Sequence, residues 1–377
     1  MTAQQPGRLA GTGAQTQAST DAGARAGTDP QAVTGAGFGP DFAAWAADNV
    51  PGSEPPYRLT QVSGGRSNLT YLLTDGTSRQ HVLRRPPLGT GPGSAHDVLR
   101  EASIIQALAG SVVPVPAIAA RCNDPAVIGA PFFVMEFVPG LVLTDPDSVP
   151  PAGRGALATP GLEIARAMAE ALAAIHDLDL AERGLEGMRR PGSYARRQLR
   201  RLAPVIEQVQ TGQELLRRVG EELGRQSPVQ ESAATLLHGD FKLANVILRP
   251  DCQIAAVLDW ELASSGEPLA DLGWLVASWA EPGDGPWLVP PATLAGGFPA
   301  RAELADAYAT ASSRPLAGLP YFVALSFWRW SCINVRTRAR YLEGRSPGLD
   351  LDVTRLDSQV QWQLERALEL LSQEGNG

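Results

Sequence analysis

Along the chain the spacing of apolar positions changes once, from a period of two to a period of 3.6, and the change separates two parts of different character. Residues 1–37 follow neither period. They hold no aromatic side chain, and Leu9 and Val33 are their only larger aliphatics after the initiator. So little apolar surface cannot repay the entropy of ordering, and a disordered tail is expected there. A short helix over Asp41–Ala47 then leads into strand-like segments at Tyr57–Val62, Leu69–Thr74 and His81–Arg85. Turn signals at Gly64-Gly65 and Asp75-Gly76 separate the three, which predicts an antiparallel meander. Ser94, with Asp97 three residues on, is read as the cap of a helix running to about Leu108, with Val98, Ala102 and Ile105 on one face. Phe132–Val138 is a further strand, ended by Pro139-Gly140.

Beyond this point Ile164, Ala167, Met168, Ala171, Leu172 and Ile175 recur at helical spacing and mark an amphipathic helix. Further helices are predicted at Ser193–Val209, Asp271–Ala280, Glu303–Ser312, Pro320–Leu342 and Val353–Gln373. Two short apolar runs, Val246–Leu248 and Ile254–Leu258, flank Pro250-Asp251 and read as a hairpin inside the helical part. The expected fold is α+β in two lobes. A small antiparallel-sheet N-lobe occupies 38–138, a hinge lies near Met135–Gly140, and a larger helical C-lobe occupies 139–377.

Composition narrows the classes. The chain has 377 residues, 44% hydrophobic and 19% charged, with a net charge of −8, which describes a soluble globular protein and argues against a nucleic-acid partner. Cys122, Cys252 and Cys332 are too scattered for a disulfide framework or a metal cluster, so a reducing cytoplasm is the expected location. The apolar stretch Tyr321–Val335 carries Arg329 and is too short to span a bilayer, and no basic-then-apolar leader opens the chain, so no membrane role is expected. Of the 32 basic residues 31 are arginine, and the single lysine is Lys242.

That lysine falls in the most informative stretch, His238-Gly239-Asp240-Phe241-Lys242-Leu243-Ala244-Asn245, which is followed by Val257-Leu258-Asp259-Trp260-Glu261. Asp240 and Asn245 lie five apart across a loop, and Asp259 ends the next strand, a layout that converges a base, an amide ligand and a carboxylate on one point. Phosphoryl transfer asks for such a set: hard oxygen ligands for Mg²⁺, an oriented hydroxyl, and positive charge on the moving group.

H-x-D-x-x-x-x-N followed by two apolar residues and Asp resembles the catalytic and metal loops of the protein-kinase-like superfamily, in its aminoglycoside phosphotransferase and choline kinase branch. The resemblance implies ATP and Mg²⁺ as cofactors. Asp240 would accept the substrate hydroxyl proton, Lys242 would touch the γ-phosphate, and His238 would brace the loop. Asn245 and Asp259 would hold the metal, with Glu261 as a further ligand or a solvated acid beside it, and Asp271 would tie the loop to a following helix. In the small lobe Gly64, Gly65, Ser67 and Asn68 are similar to the phosphate-covering loop, while Glu136 and Val138 sit in the linker whose backbone meets adenine. Arg84 occupies the slot where kinases place a third-strand lysine, with Glu101 as its ion-pair partner and Arg85 as the alternative if the register is shifted. Val82–Pro87, Asp259–Ala263, Gly266–Asp271 and Arg340–Gly344 further resemble the phosphotransferase domain associated with acyl-CoA dehydrogenases. The similarity runs over about Phe38–Leu371.

Plainer readings stand beside these. His-x-Asp can be a loop hydrogen bond, the glycine pair a hairpin turn, and Glu101 a surface charge. His81, His96 and His176 lie outside every motif and read as surface or core histidines. Arg189, Arg190, Arg196, Arg197, Arg200 and Arg201 form a basic run that is either a solvated helix face or an anion site, and Arg329, Arg336, Arg338, Arg340 and Arg345 form a second. Two function classes follow. The first is a small-molecule O-phosphotransferase acting on an anionic hydroxylated acceptor such as a hydroxyacyl-CoA, with an acyl-CoA dehydrogenase as functional partner; its runner-up is an aminoglycoside or choline-like kinase. The second is a nucleotide-binding pseudokinase or scaffold, suggested by the absent third-strand lysine.

Overall fold

A computed structural model describes residues 38–62, 68–88, 97–150, 160–207, 213–227, 234–345 and 350–374. The tail, Gly64, Gly65, Ser67, Ser94 and His96 lie outside the described residues. The first part of the chain builds one antiparallel sheet of five strands in the order β1-β2-β3-β5-β4. These are β1 (Arg58–Gln61), β2 (Leu69–Thr74), β3 (Gln80–Arg85), β4 (Ile118–Cys122) and β5 (Phe132–Glu136). Strand β5 stops two residues short of the expected Val138, because the chain leaves the sheet at Phe137.

Side chains alternate across the sheet and give it two different faces. One face packs Leu73, Leu83, Phe132 and Val134 under α1 (Pro40–Asn49), with the short α3 (Pro125–Ile128) nearby, as a core of its own. The other places Phe133 and Met135 against α2 (Val98–Leu108), in a core continuous with that of the helical part. Asp97 caps α2, its carboxylate accepting from the Arg100 N–H at 2.9 Å, so the helix starts later than the Ser94 reading placed it.

The helical part consists of α4 (Pro160–His176), α5 (Tyr194–Glu207), α6 (Gln213–Arg225), α7 (Leu269–Ser278), α8 (Arg301–Ser312), α9 (Leu319–Leu342) and α10 (Val353–Glu374). Helix α7 begins two residues before the expected Asp271. Two small antiparallel pairs sit among the helices: β6 (Thr235–Leu237) with β9 (Ser264–Gly266), and β7 (Val246–Leu248) with β8 (Ile254–Val257). Among the described residues no helix is long and apolar enough to cross a membrane.

The linker after β5 is fastened to β7. Leu141 and Leu248 exchange both backbone hydrogen bonds at 2.8 Å, and Val257 N–H of β8 donates to Pro114 O at 2.8 Å. A Cβ at Gly140 would stand 2.4 Å from Ile247 Cγ2 and 2.6 Å from Leu248 O, so only glycine admits this close approach. The two lobes therefore meet directly above the β7–β8 hairpin.

Candidate active site

The loop between β6 and β7 is held from below by its apolar residues. Phe241 and Leu243 are buried in the core, and His238 packs on the buried Trp260 ring at 4.6 Å. A single turn of 3-10 helix over Leu243–Asn245 delivers Asn245 back toward Asp240. The Asn245 amide Nδ2 donates to Asp240 O at 2.8 Å and to Asp240 Oδ2 at 2.9 Å. Lys242 Nζ reaches the same Oδ2 at 3.0 Å, and the Trp274 indole N–H donates to Oδ1 at 2.7 Å. Both oxygens of Asp240 are thus fixed, which pre-orients the carboxylate.

Asp271 in the first turn of α7 anchors the loop backbone. Its two oxygens accept from His238 N–H at 2.6 Å and Gly239 N–H at 2.8 Å. Burial opposes its charge, but the neighbouring His176, His238 and Gly239 N–H outweigh it and hold the carboxyl below the usual range. His176 is a core histidine whose Nε2 lies 3.6 Å from Asp271 Oδ2 and whose Nδ1 meets Tyr308 Oη at 2.7 Å. His238 points its own Nε2 to Leu258 O at 2.8 Å, which fits bracing. Gly239 is required: its φ is +85°, and a Cβ there would lie 2.5 Å from Leu262 O.

The hairpin then carries the chain to Asp259. Leu258 N–H donates to Asn245 O at 2.9 Å, which sets Asp259 beside the loop, and Asp259 itself adopts the left-handed region at φ 67°. Few non-glycine residues do so, and here the turn aims the carboxylate at the small lobe. Arg84 Nη2 meets Asp259 Oδ1 at 2.9 Å, Arg84 Nη1 lies 3.1 Å from Glu101 Oε1, and Glu261 Oε2 is 3.9 Å away. One guanidinium spans three carboxylates. Burial works against its charge, but the three acids outweigh that and hold Arg84 above its ordinary value. Burial pushes the Glu101 carboxyl up to about 8 despite the Arg84 charge, helped by the nearby Asp259 and Glu261. Neither Glu101 oxygen has a hydrogen-bond partner of good geometry.

The register question is resolved by the same contacts. Arg85 faces the opposite side of the sheet, where it donates to Tyr71 Oη at 3.2 Å and lies over the Phe38 and Tyr71 rings. Asn68, just after the glycine pair, donates to Glu261 Oε2 at 2.9 Å. Glu136 is exposed at the end of β5 and Val138 is half-buried in the linker, and neither side chain joins the contacts of the Asp240 loop.

Two participants escaped the sequence reading, and a third was read only as one of a basic run. Trp274 binds Asp240 directly; its position three residues after Asp271 was the available signal. Arg100 clamps the turn after β8 by donating to Glu261 O at 3.2 Å and Ala263 O at 2.5 Å. Arg329, read from the sequence as part of the second basic run, donates to Gly239 O at 3.3 Å and stacks on Trp274 at 4.7 Å. The first basic run divides: Arg197 is spent on the carbonyls of Gly192 and Ser265, while Arg196, Arg200 and Arg201 are exposed.

The donors present fit a hard divalent cation. Asn245 commits its Nδ2 to Asp240 and keeps its carbonyl oxygen, and the Asp259 side chain, 29% exposed, keeps one oxygen beyond Arg84. Among the described residues no cluster of three or more His, Cys, Asp or Glu could hold a metal alone. A hard divalent cation held by so few protein oxygens would complete its shell with phosphate oxygens and water.

The chain is 36% identical over 240 residues to acyl-CoA dehydrogenase family member 10 of Mus musculus, a match covering 63% of this chain and 22% of that protein. It thus spans less than a quarter of that relative's length. A putative aminoglycoside phosphotransferase from Ralstonia eutropha superposes with a TM-score of 0.71 at 29% identity, covering 88% of this chain and 98% of the other. The amicoumacin kinase hAmiN, solved with AMP-PNP and Ca²⁺, shares the fold with a TM-score of 0.58 at 14% identity, covering 86% and 92%. The model of the phosphotransferase enzyme family matches residues 58–311. With two lobes folded as in these structures, the chain belongs to that phosphotransferase enzyme family.

Proposed function

We propose that the chain transfers the γ-phosphoryl group of ATP, with Mg²⁺, to a hydroxyl of an anionic acyl acceptor such as a hydroxyacyl-CoA. The observation that carries this reading is the fixed Asp240 carboxylate beside the sole lysine, with Asn245 and Asp259 one hydrogen-bonded strand away. Asp240 Oδ2 takes the hydroxyl proton as the acceptor oxygen bonds to the γ-phosphorus and the bond to the β-bridging oxygen breaks, releasing ADP. Lys242 leaves Asp240 for the γ-phosphate, which opens Oδ2 to the hydroxyl. Asn245 and Asp259 would hold Mg²⁺, which would neutralise developing phosphate charge when bound. Arg84 replaces the usual lysine and, held by Glu101, presents a fork to the phosphates.

Two observations support the acceptor class. The mouse relative is named for acyl-CoA dehydrogenation, which suggests an acyl-CoA dehydrogenase as functional partner. The exposed arginines of α5 and α9 would repel a polycationic aminoglycoside. The pseudokinase alternative loses its motive, since Arg84 pairs with Glu101 and Asp259 as a third-strand cation should. ADP release measured across hydroxyacyl-CoA, sugar, amino-alcohol and aminoglycoside panels tests the proposal. Turnover confined to the hydroxyacyl group is expected, and efficient phosphorylation of aminoglycosides with none of hydroxyacyl-CoA would overturn the acceptor.

A further inference from the structure

Arg329 is 3% exposed, its Nε has no hydrogen-bond partner, and among the described residues no carboxylate lies within ion-pair distance of it. Its charge rests between the rings of Trp274 at 4.7 Å and Tyr194 at 5.5 Å, directly behind the Gly239–Asp240 backbone. A buried guanidinium without an acid is costly and points to an anion that is not part of the chain. Arg336 follows seven residues later on the same face of α9, about 10 Å further along the axis.

Helix α5 brings a third cation to this row. Tyr194, Arg197 and Arg201 share one helical face, and Tyr194 meets Arg329. Arg201 follows Tyr194 on α5 by seven residues, as Arg336 follows Arg329 on α9, and the charges of Arg329 and Arg336 both act on it. Arg201 and Arg336 are both exposed. The neighbouring arginines are already neutralised, Arg338 by Asp357 and Arg345 by Glu343. Among the described residues Arg201 and Arg336 have no such partner.

We propose that Arg201 and Arg336, at the outer end of the row that begins at Arg329, form a binding subsite for an anionic group carried on an arm of the acceptor. This rests on the acyl-acceptor reading of the active site and names the part of the acceptor that is recognised. The anion is a phosphate of coenzyme A or the terminal carboxylate of a free hydroxy acid, and the two are separable.

The test compares three acceptors of equal hydroxyacyl length: the coenzyme A ester, the pantetheine ester without phosphates, and the free hydroxy acid. ADP release is followed for wild type, Arg201→Glu, Arg336→Glu and the control Arg366→Glu on α10. The coenzyme A ester should have a Michaelis constant about tenfold or more below the pantetheine ester, and either reversal, but not the control, should erase that advantage. A preference for the free acid that both reversals erase supports the subsite with a carboxylate as its ligand. One Michaelis constant for all three acceptors, or an advantage that survives both reversals, overturns the subsite and leaves the phosphotransferase standing. No ADP release from any of the three overturns the acyl-acceptor reading with it.

Discussion

Asp240 shows how a small number of atoms determine what this site can do. Its oxygens are held by Trp274 on one side and by Asn245 and Lys242 on the other, so an amide in its place keeps the geometry and loses the proton acceptor. Asp240→Asn should therefore leave the melting temperature and the Mg·ATP-induced shift nearly intact while ADP release falls by about 10²–10⁴; near-wild-type release would remove Asp240 from the chemistry. Glu101 gives a second prediction, from its raised carboxyl. A group whose folded pKa stands at about 8 instead of the ordinary 4.5 adds stability that is complete below 4.5 and lost as pH rises through 8. Glu101→Gln keeps the uncharged form and should flatten the decline in melting temperature of the nucleotide-free protein over that window. An equally steep decline in the variant would assign the titration elsewhere. The arginine beside it was legible from its strand slot, but its alternation with Arg85 needed the register, since neighbouring strand residues face opposite sides.

At the scale of elements the loop and hairpin were readable because their apolar anchors, Phe241, Leu243, Val246 and Val257, alternate with the polar residues they position. The β6–β9 pair was not readable. Each strand has three residues, below the length at which periodicity speaks, and the pairing joins positions far apart in sequence. Helix α6 was missed although Leu216, Val219 and Leu223 fall at helical spacing, because the polar positions between them outnumber the apolar stripe. Strand β4 is Ala-rich and only partly buried, and carries little β signal. A turn can be as demanding as a helix. Gly239→Ala puts a side chain into a left-handed backbone and against Leu262 O, so it should cost about 1–3 kcal/mol of stability and most of the activity. Denaturant titration with ADP release checks this, and a variant as stable and active as wild type would show that the loop relaxes freely.

For the whole molecule the joint between lobes matters most. The inner face of the five-stranded sheet shares a core with the helical part, and the linker is fastened to β7 by a reciprocal pair of hydrogen bonds. Two lobes so joined should melt together, giving one calorimetric transition that Mg·ATP shifts as a unit. Asp259→Ala should abolish the Mg²⁺-dependent part of that shift, because the carboxylate aimed at the cleft has gone. Two separate transitions would mean that the shared core is not cooperative. The two-lobed plan was legible from the change of period alone, whereas the shared core was not, since it depends on which face of β5 turns inward.

The solitary lysine has a practical consequence. Its amine lies 3.0 Å from Asp240 with a third of the side chain open to solvent, and no other lysine exists in the chain to compete for reagent. An amine-directed label or an acyl-phosphate nucleotide probe would tag one side chain, at the place where the γ-phosphate is expected. Mass-spectrometric occupancy of that single tag, followed against added Mg·ATP, would then serve as a binding isotherm without any engineered reporter. Occupancy insensitive to nucleotide would place the phosphates away from Lys242.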